Sequence, residues 1–333
     1  MEGFRPWRVA TEDALYSAGG FYRRGPGPAA HFRTSVHASA LFATAVATLL
    51  ERVDTALGHP DPLDLVDVGA GRGELLAAVA RTAPAPIAGR LRLTGVERAD
   101  RPEGLPAAVR WGGAEIPRCT GLLFANEWLD NVPVDVAELD AAGLPRLVLV
   151  EPATGRETLG APLDAADSAW LDRWWPLASP GDRAELGAPR DAAWAGAVAA
   201  LERGVAVAVD YGHRAANRPR GGTLSGYTAG RQVPPVPDGS CDITAHVATD
   251  AAAAAGRVGR GGQALVTDQR SALKALGVDG RRPPRELAVA DPTGYLRALA
   301  AAGEAGELLD PAGLGAFHWL IQPVGVELSA LGW

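Results

Sequence analysis

The sequence predicts an α/β, Rossmann-like fold on a mostly parallel sheet, with an inserted helical subdomain and an N-terminal cap. Three observations carry this. Short apolar runs alternate with stretches of helical periodicity. One of those runs ends in closely spaced glycines. Each run is separated from the next by enough chain for a crossover connection.

Residues 1–35 mix aromatics with glycine and proline, and Gly25-Pro26-Gly27-Pro28 breaks any helix, so this stretch reads as the cap. Over 36–57 the residues Leu41, Phe42, Ala45, Val46, Leu49, Leu50 and Val53 recur at helical spacing. Leu63-Asp64-Leu65-Val66-Asp67-Val68 is a strand, and 74–80 is a helix. Further buried strands are expected over 91–96, 121–125 and 205–209, so that 36–150 forms the main part of the sheet domain. The interval before the last of these is too long for a loop, and 151–203 is expected as a helical subdomain with helices over 167–175 and 191–203. There Trp170, Trp174 and Trp175 share helical spacing, which suits core packing better than an aromatic pocket. Residues 204–333 complete the core. They include a Gly/Pro/Arg-rich loop or lid over 214–238 and closing strands over 263–267 and 316–321, the last an edge pair of antiparallel sense.

Composition sets outer bounds. With 333 residues, 47% hydrophobic and 21% charged, the chain has an ordinary globular balance and enough material for a sizeable core. A net charge of −7 gives no general attraction to nucleic acid or an anionic membrane, and suits a cationic ligand or partner. Lys274 is the only lysine, so the abundance of arginine reflects a compositional bias and says little about function. Cys119 and Cys241 stand far apart, with no CxxC and no histidine at ligand spacing, so neither a metal site nor a disulfide is expected. No apolar stretch approaches the roughly 20 residues of a membrane span and no secretory leader opens the chain, so a reducing cytoplasm is the expected location.

The chemistry starts at Asp67-Val68-Gly69-Ala70-Gly71-Arg72-Gly73. Glycines at 69, 71 and 73 after a strand allow a tight turn and close approach of a ligand to a helix N-terminus. The spacing is G-x-G-x-G, and Glu74 would sit badly beside a pyrophosphate, so a nucleoside without phosphates fits better than a dinucleotide. S-adenosylmethionine is such a ligand. Asp67 is placed to bind its amino group and Glu97, ending the next strand, to accept its ribose hydroxyls. The alternative is a structural glycine turn beside a surface acid. At another strand end lies Asn126-Glu127-Trp128-Leu129-Asp130-Asn131-Val132-Pro133. It offers an amide, Asn126, to the cofactor and two carboxylates, Glu127 and Asp130, to an acceptor; helix capping by Asn126 and Asp130 is the other use of the same residues.

These two segments resemble the MidA-type methyltransferases, which include the mitochondrial assembly factor for respiratory complex I and bacterial relatives. The family's glycine loop is similar to VELGPGRG and its later motif to ANEFFDALPV. The resemblance extends through Gly20-Phe21-Tyr22, Phe32-Arg33-Thr34-Ser35, Val209-Asp210-Tyr211-Gly212-His213, Cys241-Asp242-Ile243-Thr244-Ala245-His246-Val247 and Gln269-Arg270-Ser271. It implies S-adenosyl-L-methionine as cofactor, held by Thr34, Asp67, Gly69, Ala70, Gly71, Gly73, Glu97 and Asn126. It also implies methylation of a protein arginine, with Tyr211 and Asp242 on the acceptor side and Glu127 and Asp130 orienting the guanidinium fork. His246 and His213 are candidate bases for a neutral acceptor, although a structural role suits each histidine better.

The chain departs from the family at Asp67, where glutamate is usual, at Ala70, where proline is usual, along 223–231, and at Ala248-Thr249-Asp250. A small-molecule O- or N-methyltransferase and a cofactor-binding assembly factor without turnover therefore stay open. The expected partner is a protein presenting arginine, with no nucleic acid and no membrane; a homodimer is compatible.

Overall fold

The computed structural model describes residues 3–24, 35, 40–257 and 261–333. The chain forms two compact units. One comprises Arg33–Asn126, Ala200–Val209 and Leu265–Trp333, and the other Met1–Phe32, Glu127–Ala199 and Asp210–Ala264.

The first of these units is built on a seven-stranded sheet. In chain order its strands are β1 (Leu63–Val68), β2 (Leu91–Val96), β3 (Val109–Gly112), β4 (Cys119–Asn126), β5 (Leu201–Asp210), β6 (Leu265–Asp268) and β7 (His318–Val324). Across the sheet the order is β3-β2-β1-β4-β5-β7-β6. Pairings from β3 through β5 are parallel, while β6 and β7 pair antiparallel. The sheet is thus mixed and mostly parallel, and the expected antiparallel pair lies at one edge.

Every residue of β1 is buried, including two acids. Asp64 is tolerated because Arg92 forks onto its carboxylate, with Nη2 at 2.7 Å, and the Thr120 amide donates to it at 2.8 Å. Packing between β1, β4 and β5 is tight enough to require glycine. A Cβ on Gly204 would fall 1.9 Å from the Gly121 carbonyl oxygen, and one on Gly121 2.2 Å from that of Asp64. The helix Ala40–Leu57 buries Leu49, Leu50 and Val53 in the core of this unit. There Phe42, Phe124 and Trp319 meet edge to face, with centroids 5.7–6.1 Å apart.

The other unit corrects two expectations. Residues 127–150, expected within the Rossmann core, instead contribute the strands Asp135–Leu139 and Pro145–Val150 to an antiparallel sheet. Asp140 makes their turn, accepting from the amides of Ala142 and Leu144 at 2.9 Å, with Gly143 at φ 78°. The segment 151–203, expected as helical, adds the strands Glu157–Pro162 and Arg183–Leu186 to this sheet beside the helices Ala165–Trp174 and Ala188–Ala200. Trp170 and Trp175 fill a core with Leu171, Ala184 and Leu186, as helical spacing suggested.

The region 214–238 is more regular than a loop. Ser225–Thr228 and Arg231–Val233 form a hairpin, and Asp242–Thr244 pairs on its other side. Ala229 at φ 46° and Gly230 at φ 74° supply the left-handed pair that a tight hairpin turn needs. Gly25 to Pro28 and Thr34 lie outside the described residues; the described part of 1–35, expected as a cap, holds the strand Arg5–Pro6 and the helices Trp7–Tyr16 and Phe21–Arg24. Among the described residues no helix is long and apolar enough to cross a membrane.

Candidate cofactor and acceptor sites

In the unit that carries the seven-stranded sheet, the loop after β1 needs its glycines. Gly69, Gly71 and Gly73 take φ values of 70°, 57° and 77°, a region that side-chain-bearing residues avoid. The Gly69 and Ala70 amides both donate to the Val96 carbonyl, at 2.9 and 3.3 Å, and tie the loop to the end of β2. The Gly73 amide donates to the Ala70 carbonyl at 2.7 Å and leads into the helix Glu74–Thr82.

Glu97, just past β2, is held by amides. Its Oε2 accepts from Gly71 at 3.1 Å, and its Oε1 from Arg98 at 2.7 Å and Ala99 at 3.2 Å. A carboxylate offers about four lone-pair sites, so capacity remains for a ligand's hydroxyls. Asp67 is buried, and burial first, then the charges of Glu74 and Glu97, raise its pKa well above the usual carboxylate range. A cation placed among these three acids relieves that repulsion, which matches a ligand bearing ammonium and sulfonium charges. Asn126 ends β4 opposite Val209 of β5.

In the other unit a set of carboxylates gathers around Asp130. Glu127 opens the segment at φ 52°, a left-handed conformation that is uncommon for a residue with a side chain. Asp130 is 5% exposed. Its Oδ2 accepts from the Thr244 hydroxyl at 2.8 Å, and its carboxyl group also lies against that of Asp210.

Asp210 accepts from the amides of Leu129 and Asp130 at 3.2 and 3.3 Å. Burial, and next the Asp130 carboxylate, push its pKa well up. Asp242 accepts from the Tyr22 hydroxyl at 2.8 Å and from the Asn131 amide at 3.3 Å. Burial outweighs the Tyr22 hydrogen bond and pushes Asp242 up to about 7. Tyr16 stacks on Tyr22, with centroids 5.6 Å apart, and donates to the Asn131 carbonyl at 2.9 Å.

Tyr211 and His246, both exposed, stack with centroids 5.6 Å apart and planes at 17°. Desolvation, then the charges of Glu127 and Asp130, raise the Tyr211 phenol. His213 is buried, receives a 2.7 Å hydrogen bond from Arg218 on Nδ1, and is depressed to about 3 by burial and then by Arg218. It is neutral at physiological pH and lies in the packing around Trp175, 4.4 Å away.

Comparison with known proteins decides what this arrangement belongs to. Residues 45–266 match the family model described as "Putative S-adenosyl-L-methionine-dependent methyltransferase". The chain is a member of that methyltransferase family. Among solved structures it is similar to a protein from Burkholderia thailandensis bound to S-adenosyl-homocysteine, at 28% identity and TM-score 0.79, covering 98% of this chain and 89% of that one. A native structure of an uncharacterized member of the same superfamily from that organism gives 26% identity and TM-score 0.78, covering 98% and 88%. No curated protein matches the sequence.

The methyltransferase places Asp67, Gly69, Ala70, Gly71, Gly73, Glu97 and Asn126 together in the unit of the seven-stranded sheet. It places Glu127, Asp130, Tyr211, Asp242 and His246 in the other. Thr34 lies outside the described residues.

Three residues of the methyltransferase escaped sequence reasoning. Trp111 packs over the glycine loop's support: a Cβ on Gly95 would lie 2.5 Å from its ring and one on Gly73 3.3 Å. Arg190 is fully buried and donates to the carbonyls of Asp130, Val132, Ala245 and His246, tying the two acceptor-side motifs together. Glu185 is buried and accepts from the Thr223 amide at 2.7 Å, the Leu224 amide at 3.1 Å and the Thr223 hydroxyl at 3.0 Å. In an arginine-rich chain Arg190 carried no signal, and Glu185 sits on a strand the sequence did not reveal.

Proposed function

We propose that the chain transfers methyl groups from S-adenosyl-L-methionine to a protein arginine side chain, as the MidA-type resemblance implies. The carrying observation is the gathering of buried acids around Asp130, which is 5% exposed and lies against Asp210 and Asp242. A guanidinium supplies planar N–H donors to carboxylate oxygens, and its positive charge favours the ionised form of these buried acids. Tyr22 bears on the same acids, through its hydrogen bond to Asp242 and the charge of Asp130.

When bound, the cofactor supplies an electrophilic methyl group; the chain's own residues bind, orient and desolvate. Asp67, the glycine loop, Glu97 and Asn126 hold the cofactor. Asp130 and Glu127 fix the direction of the guanidinium, and an acid of the cluster takes the proton that it releases. His246 stacked on Tyr211 supports a second reading, in which an exposed imidazole serves as base for a neutral hydroxyl or amine acceptor.

Asp130→Asn separates these readings. With methyl-labelled cofactor and lysate of the source organism, wild-type enzyme should label arginine in protein, located by mass spectrometry. The variant should lose at least about a hundredfold in rate while S-adenosylhomocysteine binding by calorimetry is retained. Label confined to small metabolites favours the His246 reading. Full activity in Asp130→Asn overturns the assignment.

A further inference from the structure

Trp111, in β3, stands opposite Gly95 of β2 in the parallel register. Its indole lies across that glycine, where a Cβ would come within 2.5 Å of Cζ3 and 2.6 Å of Cε3. Gly95 lies inside a strand and is not one of the glycines with positive φ, so it is the space taken by the ring, and not the backbone, that calls for glycine. A Cβ on Gly73, at the far end of the cofactor loop, would lie 3.3 Å from the same Cζ3. The ring is thus seated against β2 and the loop at once, and this seat aims its one polar atom. Nε1 donates to the Ala99 carbonyl at 3.1 Å.

Ala99 is one of the residues that orient Glu97. The amides of Arg98 and Ala99 donate to Glu97 Oε1 at 2.7 and 3.2 Å. The amide of Glu97 itself donates to the Gly112 carbonyl at 3.2 Å. Residues 97 and 99 are therefore both fastened to β3, one through the backbone of Gly112 and the other through the side chain of its neighbour Trp111. We propose that Trp111 is a positioning residue for cofactor recognition: by holding Ala99 it fixes the turn whose two amides aim the Glu97 carboxylate at the ribose hydroxyls. This role rests on the reading of Glu97 as the ribose acceptor. A carboxylate that meets paired hydroxyls has to be held within about 10–20° of the productive angle by groups that are themselves locked, and the seated indole is such a group. Packing alone would make Trp111 a support for every part of the cofactor, whereas the Nε1 bond directs its effect to the ribose.

Calorimetry on the full chain, with S-adenosylhomocysteine and with a deoxy analogue lacking both ribose hydroxyls, tests this. Wild type should bind S-adenosylhomocysteine at least about tenfold more tightly than the analogue. Trp111→Phe keeps a ring over Gly95 and removes the donor. It should weaken S-adenosylhomocysteine at least about fivefold and the analogue less than about twofold. Trp111→Met also fills the space without a donor; it should behave alike, and it serves if circular dichroism shows the Phe variant unfolded. Equal weakening of both ligands, or no weakening of either, overturns the proposal. Glu97→Ala should bring the two ligands to about equal affinity. If it does so while the Trp111 variants keep the wild-type preference, the positioning role alone fails. If Glu97→Ala keeps that preference, Glu97 does not hold the ribose and the role of Trp111 falls with it.

Discussion

The hydroxyl of Tyr22 donates a 2.8 Å hydrogen bond to Oδ1 of Asp242, joining two motifs 220 residues apart in the chain. The bond favours the charged carboxylate, yet burial prevails and Asp242 titrates at about 7. Unfolded, it would titrate near about 4. A group whose folded pKa is raised contributes stability that is fully present below the unfolded value and is lost as pH rises through the folded one. Asp242→Asn keeps an acceptor for Tyr22 and cannot ionise. The variant should therefore gain in stability relative to wild type as pH rises from about 4 to about 7, and keep that gain above it, in paired urea melts. Equal pH dependence in the two proteins would place the titration elsewhere. Tyr22→Phe should raise the Asp242 pKa further by removing the opposing bond.

Gly71 has open space around its missing side chain, the nearest atom being Glu74 Oε2 at 3.8 Å, but its φ of 57° disfavours any other residue. Gly71→Val should cost stability by about 1–3 kcal/mol through backbone strain and place methyls where the cofactor approaches. S-adenosylhomocysteine affinity should fall at least about tenfold by calorimetry, since a single lost or obstructed contact of about 1.4 kcal/mol already does so. A folded variant with undiminished affinity would move the cofactor away from this loop.

Arg190→Met should be the most destabilising of these substitutions. It removes the donor that Arg190 supplies to the carbonyls of Asp130, Val132, Ala245 and His246. Hydrogen bonds to a charged group contribute about 1.5–3 kcal/mol each in net terms, so a loss of about 3 kcal/mol or more is expected. Thermal melts check it. A Tm unchanged from wild type would mean that Arg190 does not hold these segments.

The parallel sheet was readable because its signals are local. The run from Leu63 to Val68 is apolar, stops at glycines and is followed by a helix, and its bounds coincide with those of the strand. The cofactor loop was readable for the same reason. The antiparallel sheet was not, because Asp135–Leu139 and Arg183–Leu186 are short, carry charges at Asp135, Glu138, Arg183 and Glu185, and pair across a long interval. Their identity as strands lies in the partner, not in the periodicity. Asp130 and Asp242 were found through motifs, whereas Arg190, which bonds to backbone carbonyls, depends on contacts that no spacing rule exposes.

The chain passes between the two units at five points, after Phe32, Asn126, Ala199, Val209 and Ala264. Neither unit is a continuous stretch, and the one with the seven-stranded sheet cannot be completed until Leu265–Trp333 has been made. The seven-stranded sheet stays open until the ribosome has delivered β7, which must slot between β5 and β6. A nascent chain therefore carries a hydrophobic edge at β5 from the synthesis of Leu201–Asp210 until His318–Val324 follows, and this interval is when a chaperone has the most to hold.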